Sequence, residues 1–235
     1  MNRIYQKSKL EVGSDIQLDK SASQHVLNVL RLRVGEALIV FNGEGGEYHA
    51  KIIGQAKQCA QLQIVEFDAV DRESLLAIHL GQCLSRGERM DYAIQKSVEV
   101  GVAEITPLLS SRCNVKLANE RIDKRLAHWQ SIIISACEQS GRTRIPILNP
   151  PMVLTDWISQ CQGLSFVADF QREPITTEPT TKHVNLLIGP EGGLTPGEIQ
   201  LAHQHQFHSL SLGKLTLRTE TAPIVAITQL HLVLS

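Results

Sequence analysis

The chain reads as an α/β protein in two parts. A small all-β domain is expected over residues 1–71, and a larger domain with a helix-covered parallel sheet over residues 74–235. Three observations predict this. Up to residue 70 the apolar residues fall in short, turn-bounded runs of strand character. From residue 75 strand-like and helix-like runs alternate, the pattern of a parallel sheet with helical crossovers. With 235 residues, the chain is long enough for two such domains, each with its own core. The grammar changes at Asp71 to Ser74, which sets the boundary.

In the first part, a short helix at about His25 to Leu30 precedes strands Ala37–Phe41, Glu47–Ile53 and Ala60–Val65. Asn42-Gly43-Glu44-Gly45-Gly46 is hairpin punctuation between the first two, so a small barrel or meander follows. The second part opens with strand Leu75–Cys83 and helix Arg89–Val100, stopped by Gly101. Strand Ala103–Leu109 ends in polar Ser110-Ser111-Arg112. Helix Asn119–Ser140 carries Leu126, Trp129, Ile133, Ala136 and Cys137 on one face and is closed by Gly141. Strand Ile145–Leu148, a helix near Leu154–Cys161 and strand Leu164–Phe170 come next, before a Thr- and Pro-rich loop over 171–183. Strand Val184–Ile188, helix Pro196–Gln206, strand Ser209–Leu212 and a helix from Ala222 to Leu234 complete the pattern. The last helix is apolar on nearly all sides, so it must be buried in a core or between subunits, and a homodimer is expected.

Composition narrows the class of function. Apolar content of 43% with 20% charged residues is ordinary for a soluble globular protein. No apolar run reaches the roughly 18 residues that span a bilayer, and Met1 to Lys7 lacks the apolar core of a signal peptide. Five scattered cysteines without a C-x-x-C pair argue against a disulfide framework and against a zinc site. A reducing, cytoplasmic setting is expected, with neither membrane nor metal partner. The cluster His203, His205 and His208 reads as exposed helix surface. Net charge is −1, yet it is segregated: residues 1–34 and 72–144 carry +3 each, residues 35–71 carry −4 and residues 145–235 carry −3. Such segregation allows a phosphate-binding face on a near-neutral protein, and equally allows solvated surface arginines.

Two loops carry the chemistry. Leu187-Ile188-Gly189-Pro190-Glu191-Gly192-Gly193 runs from a strand into a helix whose start is specified by the capping box Thr195-Pro196-Gly197-Glu198. The glycines permit unusual backbone conformations and close ligand approach, and amides before a helix start favour an acceptor. A tight structural turn would need the same residues. The spacing is not the dinucleotide fingerprint, and Gly213-Lys214-Leu215 is not a P-loop. The second loop, Leu217-Arg218-Thr219-Glu220-Thr221-Ala222, leads into the last helix with Thr221 suited to its cap and Glu220 to its positive end. Arg218 sits where a cation is disfavoured unless an anion lies opposite, which points to function; an ion pair with Glu220 or Glu191 is the structural alternative.

With these loops the chain resembles the SPOUT class of S-adenosylmethionine-dependent RNA methyltransferases, and within it the RsmE family of 16S ribosomal RNA uridine-N3 methyltransferases. The resemblance extends over nearly the whole chain through His25–Arg33, Ser85–Asp91, Ile94–Gly101 and Cys137–Arg142. It implies a PUA-like β-barrel before an α/β domain whose last segments form a trefoil knot. It also implies a knot-mediated homodimer and 16S rRNA in the small ribosomal subunit as substrate. The cofactor residues it implies are Leu187, Ile188, Gly189, Pro190, Glu191, Gly192, Leu212, Gly213, Leu217, Arg218, Thr219 and Thr221. The chain departs from the family at Leu215, where an arginine is common.

Uridine N3 lies on the Watson–Crick edge, so the base must be exposed and its proton removed. Arg218 is the candidate to stabilise the resulting anion; Glu191 is the candidate carboxylate if a side chain takes the proton, and a structural cap at a helix start is the equal alternative for it. Arg3, Arg31, Arg33, Arg86, Lys96 and Arg142 are candidate RNA-phosphate contacts. Glu99 is expected to pair with Lys96 or a nearby arginine. The alternatives are a methyltransferase of this class acting at another RNA site, and a catalytically inert ribosome-binding module.

Overall fold

The computed structural model describes residues 1–113, 122–169 and 182–234. Asn119 to Arg121 of the expected long helix, and most of the 171–183 loop, lie outside these residues. The chain divides into two compact units: residues 1–73 with 137–145, and residues 74–136 with 146–235.

The first unit is a five-stranded sheet in the order β1-β3-β4-β5-β2. The strands are β1 (Arg3–Tyr5), β2 (Asp15–Gln17), β3 (Ala37–Phe41), β4 (Glu47–Ala56) and β5 (Cys59–Asp68). β1 runs parallel to β3 and the other pairs are antiparallel. Ile4, Leu18, Val26, Leu38, Val40, Ile52, Leu62 and Ile64 are fully or almost fully buried in its core. The expected helix starts earlier than His25: Asp19 accepts from the Ala22 N–H at 2.8 Å and caps α1 (Lys20–Gln24), which runs on into a π-type turn over His25–Val29. β4 and β5 meet at a two-residue turn, Lys57-Gln58, with both residues at positive φ (49° and 67°). That geometry matches the twist of the strands but usually recruits Asn or Gly.

Ion pairs fasten the 137–145 segment within this unit. Arg3 pairs with buried Glu47, which also pairs with Arg72 at 3.0 Å, and Arg142 pairs with Glu73. Arg3 Nη2 donates to the Arg142 carbonyl, and the Tyr5 N–H to the Glu138 carboxylate at 2.9 Å. Burial raises the Glu47 carboxyl, but Arg72 and Arg3 outweigh it and hold it below the usual range.

The second unit is a seven-stranded, all-parallel sheet in the order β12-β10-β11-β6-β7-β8, with β9 also on β7. The strands are β6 (Ala77–Cys83), β7 (Glu104–Leu109), β8 (Ile147–Leu148), β9 (Met152–Val153), β10 (Leu164–Ala168), β11 (His183–Ile188) and β12 (Phe207–Leu210). The helices are α2 (Glu88–Glu99), α3 (Ile122–Ser140), α4 (Leu154–Gln160), α5 (Pro196–Gln204) and α6 (Ala222–Leu234). The strand expected at Ser209–Leu212 begins two residues earlier, at Phe207, whose ring packs near Trp157 at 5.9 Å between centroids. Gly81 in β6 lies under Trp157: a Cβ there would meet the indole at 2.6 Å, so only glycine fits. α6 buries Ala226, Ile227 and Leu230 but leaves Leu232 81% and Val233 50% exposed. The helix is therefore not covered all round within the chain. Among the described residues no helix is long and apolar enough to cross a membrane.

Candidate active site

Strand order locates the site. β6 is followed in sequence by β7 on one side of it, whereas β11 is followed by β12 on the other side. In an open parallel sheet a ligand crevice forms beyond the carboxyl ends of the strands where the winding reverses. A cavity of about 670 Å³ lies there, walled by Ala168 and Asp169 after β10, by Ile188–Leu194 after β11, and by the second loop from Leu212 to Ala222.

The glycine loop gets its shape from a turn in which the Gly193 N–H donates to the Pro190 carbonyl at 2.8 Å. Only Gly193 of the three uses a left-handed conformation, at φ +68°. Gly189 is needed for close approach instead, since a Cβ would lie 3.1 Å from Leu194 Cγ. The capping box is formed: Thr195 Oγ1 accepts from the Glu198 N–H at 3.2 Å and Glu198 accepts from the Thr195 N–H at 2.7 Å. The other Glu198 oxygen accepts from the Ser111 N–H at 2.8 Å. Burial works against this carboxylate, but these hydrogen bonds outweigh it and keep its pKa low.

The two loops touch through Thr219, whose hydroxyl donates to the Gly189 carbonyl at 2.8 Å and accepts from buried Gln82 at 3.3 Å. Of the expected cofactor residues, Ile188, Gly189, Pro190, Glu191, Gly192, Leu212, Gly213, Leu217, Arg218 and Thr219 line the cavity. Two do not. Leu187 points into the core with Cys83, Trp157 and Phe207, because side chains alternate along β11. Thr221 is at the start of α6, where its carbonyl accepts from the Val225 N–H at 3.3 Å.

The charged groups of the wall differ in their partners. Glu191 accepts on one oxygen from the Arg86 N–H at 3.2 Å and from Arg89 Nη1 at 3.3 Å. Arg218 is 79% exposed at the side chain, 3.8 Å from Glu220. Of the two pairings open from the sequence, this is the one present among the described residues. The second Glu220 oxygen is buried without a hydrogen-bond partner, an arrangement that costs free energy until a donor or cation arrives.

Residues 72–231 match the family model of the RNA methyltransferase domain, and residues 18–65 that of the RNA methyltransferase PUA domain. The ribosomal RNA small subunit methyltransferase E of Buchnera aphidicola subsp. Schizaphis graminum is 36% identical, covering 98% of this chain and 95% of its own. The chain belongs to the ribosomal RNA small subunit methyltransferase E family. Two solved structures are similar throughout. A Legionella pneumophila methyltransferase with bound SAM is 42% identical, with a TM-score of 0.94 over 98% of this chain and 96% of that one. The methyltransferase E of Neisseria gonorrhoeae, bound to S-adenosyl methionine, is 38% identical, with a TM-score of 0.92 over 99% and 98%. The chain thus has a SPOUT methyltransferase fold in its parallel-sheet α/β domain, preceded by a PUA domain.

Within this methyltransferase E fold, the expected RNA contacts fare differently. Arg31, Arg33 and Arg86 are exposed. Lys96 donates to Glu99 at 2.8 and 3.0 Å, as its spacing allows, and lies over the Tyr92 ring. Arg3 and Arg142 are corrections: their side chains are 10% and 8% exposed and are committed to Glu47 and Glu73. Asp169, Glu220, Arg89 and Arg112 also line the cavity. Asp169 had a legible signal, as the first residue beyond a parallel strand, but the strand was read through to Phe170.

At the opposite ends of the strands, His79, Glu104 and His183 bring ligand-type atoms within 4.8 Å of one another. His79 Nε2 accepts from Trp157 Nε1 at 3.3 Å and lies 2.8 Å from Thr106 Oγ1, so the ring is held in a hydrogen-bond network. Burial lowers its pKa, keeping the imidazole neutral. His203, by contrast, donates from Nδ1 to the Phe207 carbonyl at 2.9 Å, beyond the end of α5.

Proposed function

We propose that this chain binds S-adenosylmethionine in the cavity and methylates N3 of a uridine in 16S ribosomal RNA of the small subunit, as a cytoplasmic homodimer. The observation that carries the reading is the cavity at the winding reversal, built from the two loops that touch through Thr219 and Gly189. Its volume of about 670 Å³ falls in the range of cofactor sites. The unpartnered Glu220 oxygen suits a cationic ligand, as a sulfonium with an ammonium group is. Ile188–Gly192, Leu212, Gly213 and Leu217–Thr219 would hold it. When bound, the cofactor supplies an electrophilic methyl group.

The chain's own residues supply the rest. Arg218 offers an exposed guanidinium whose ionic neighbour among the described residues is 3.8 Å away, leaving donors for the oxygen of a uracil losing its N3 proton. Glu191 is the loop's carboxylate, and Arg89 and the Arg86 N–H orient it. Arg31, Arg33 and Arg86 offer exposed charge to the RNA backbone. Leu75 at 89% exposure and Leu232 at 81% supply apolar surface for a second copy.

Primer extension on ribosomal RNA tests this reading, because N3 methylation blocks base pairing. A stop in 16S rRNA is expected to vanish on gene deletion and to return with the wild-type gene but not with Arg218→Ala. If deletion leaves every small-subunit stop unchanged, the substrate assignment falls; failure of the protein to take up S-adenosylmethionine in calorimetry would leave an inert module.

A further inference from the structure

Three arginines line the cavity, and one makes no ion pair among the described residues. Arg89 has Glu191 at 3.3 Å and Arg218 has Glu220 at 3.8 Å. Arg112, which is exposed, makes its hydrogen bonds only to main-chain carbonyls among the described residues: Nη1 donates to Gly192 at 3.0 Å and to Leu194 at 3.4 Å. A guanidinium has five N–H donors in a planar fork, so the Nε and Nη2 edge is open to a further acceptor.

The side chain is also firmly based. It projects from the Ser110–Cys113 turn, closed by the Cys113 N–H on the Ser110 carbonyl at 3.1 Å. That turn is tied to α5 through the Ser111 N–H on Glu198. The Arg112 stem lies against the glycine loop, where a Cβ on Gly192 would touch Arg112 Cβ at 3.4 Å. A cation held at a cavity wall by neutral carbonyls, with no ion pair among the described residues, is arranged for an anion from outside the chain.

We propose that Arg112 binds a backbone phosphate of the RNA strand beside the target nucleotide. One nitrogen grips the glycine loop, and the open edge grips the phosphate, so the strand is registered directly against the loop that forms the site. This rests on the RNA methyltransferase reading above. Substrate phosphate is favoured over the other available anion, a cofactor carboxylate, because Arg112 lines the cavity from its solvent-exposed side.

The test measures binding of small ribosomal subunits from a deletion strain to full-length protein between 50 and 200 mM salt, alongside S-adenosylmethionine affinity. For Arg112→Ala, subunit affinity is expected to drop about tenfold at the lowest salt. The slope of log affinity against log salt should become shallower by roughly 0.7–0.9, the loss of one phosphate contact. Arg112→Lys should keep the slope while losing part of the affinity, because charge remains and the fork does not. Merely loosening the glycine loop would weaken binding by a salt-independent factor. An unchanged slope in an otherwise active, folded Arg112→Ala protein would overturn the proposal. So would a loss confined to S-adenosylmethionine affinity, which would assign the anion to the cofactor. Wild-type protein that binds no small subunit would overturn this proposal and the RNA reading together.

Discussion

Cys113 is a thiol whose charge is decided by its neighbours. Hydrogen bonding from Cys83 pulls its pKa down, burial opposes, and Ser110 adds to the pull, leaving it at about 6. Cys83 itself is pushed well up by burial. A group with a pKa near 6 is mostly thiolate at pH 7, and the thiolate is the nucleophile. The alkylation rate of Cys113 by iodoacetamide is therefore expected to rise with a midpoint near pH 6, and Cys83→Ala should move that midpoint upward. A midpoint near that of an ordinary thiol, about 8.5, would show that the hydrogen bond is absent. Nothing in the spacing of Cys83 and Cys113 revealed the pairing: Cys83 ends β6 opposite Leu108, and Cys113 comes five residues later, in the turn after β7. Arg3 and Arg142 were opaque for the same reason. Their carboxylate partners lie 44 and 69 residues away, so composition alone could not separate them from exposed Arg31 and Arg33.

At the scale of elements, local chemistry was legible and irregular chemistry was not. Thr195, Pro196 and Glu198 specify the start of α5 through contacts within four residues, and each contact forms. Thr195→Ala is expected to lower stability by about 1 kcal/mol in urea unfolding, the usual worth of a cap. A change below a few tenths would mean that Glu198, held also by Ser111, fixes the helix start alone. The Lys57-Gln58 turn escaped notice because it has neither Asn nor Gly, although the β4–β5 ladder continues up to it. β1, β2 and β9 are two or three residues long and carry too little pattern to stand out. The two loops of the site were visible as strand-to-helix junctions. Arg112 and Asp169 joined them only through the order of the strands.

The whole molecule depends on pairings that no local pattern encodes. β11 pairs with β6 in the register His183 to Ala77, and this contact across the chain brings the glycine loop to the winding reversal. If Leu232 and Leu75 are covered by a second copy, Leu232→Glu is expected to yield a monomer with unchanged circular dichroism. Sedimentation should show the wild type at twice that mass; equal masses for the two would rule out this interface. The Cys137–Ile145 segment has a different consequence, one for the order of events on the ribosome. Domains commonly fold as they emerge, first part first. Here Glu73 and the Tyr5 N–H find Arg142 and Glu138 only after residue 142 has been made. The first unit thus waits, with Glu73 unpaired, while residues 74–136 of the second are synthesised, and it is complete only at Ile145, when the second unit still lacks residues 146–235.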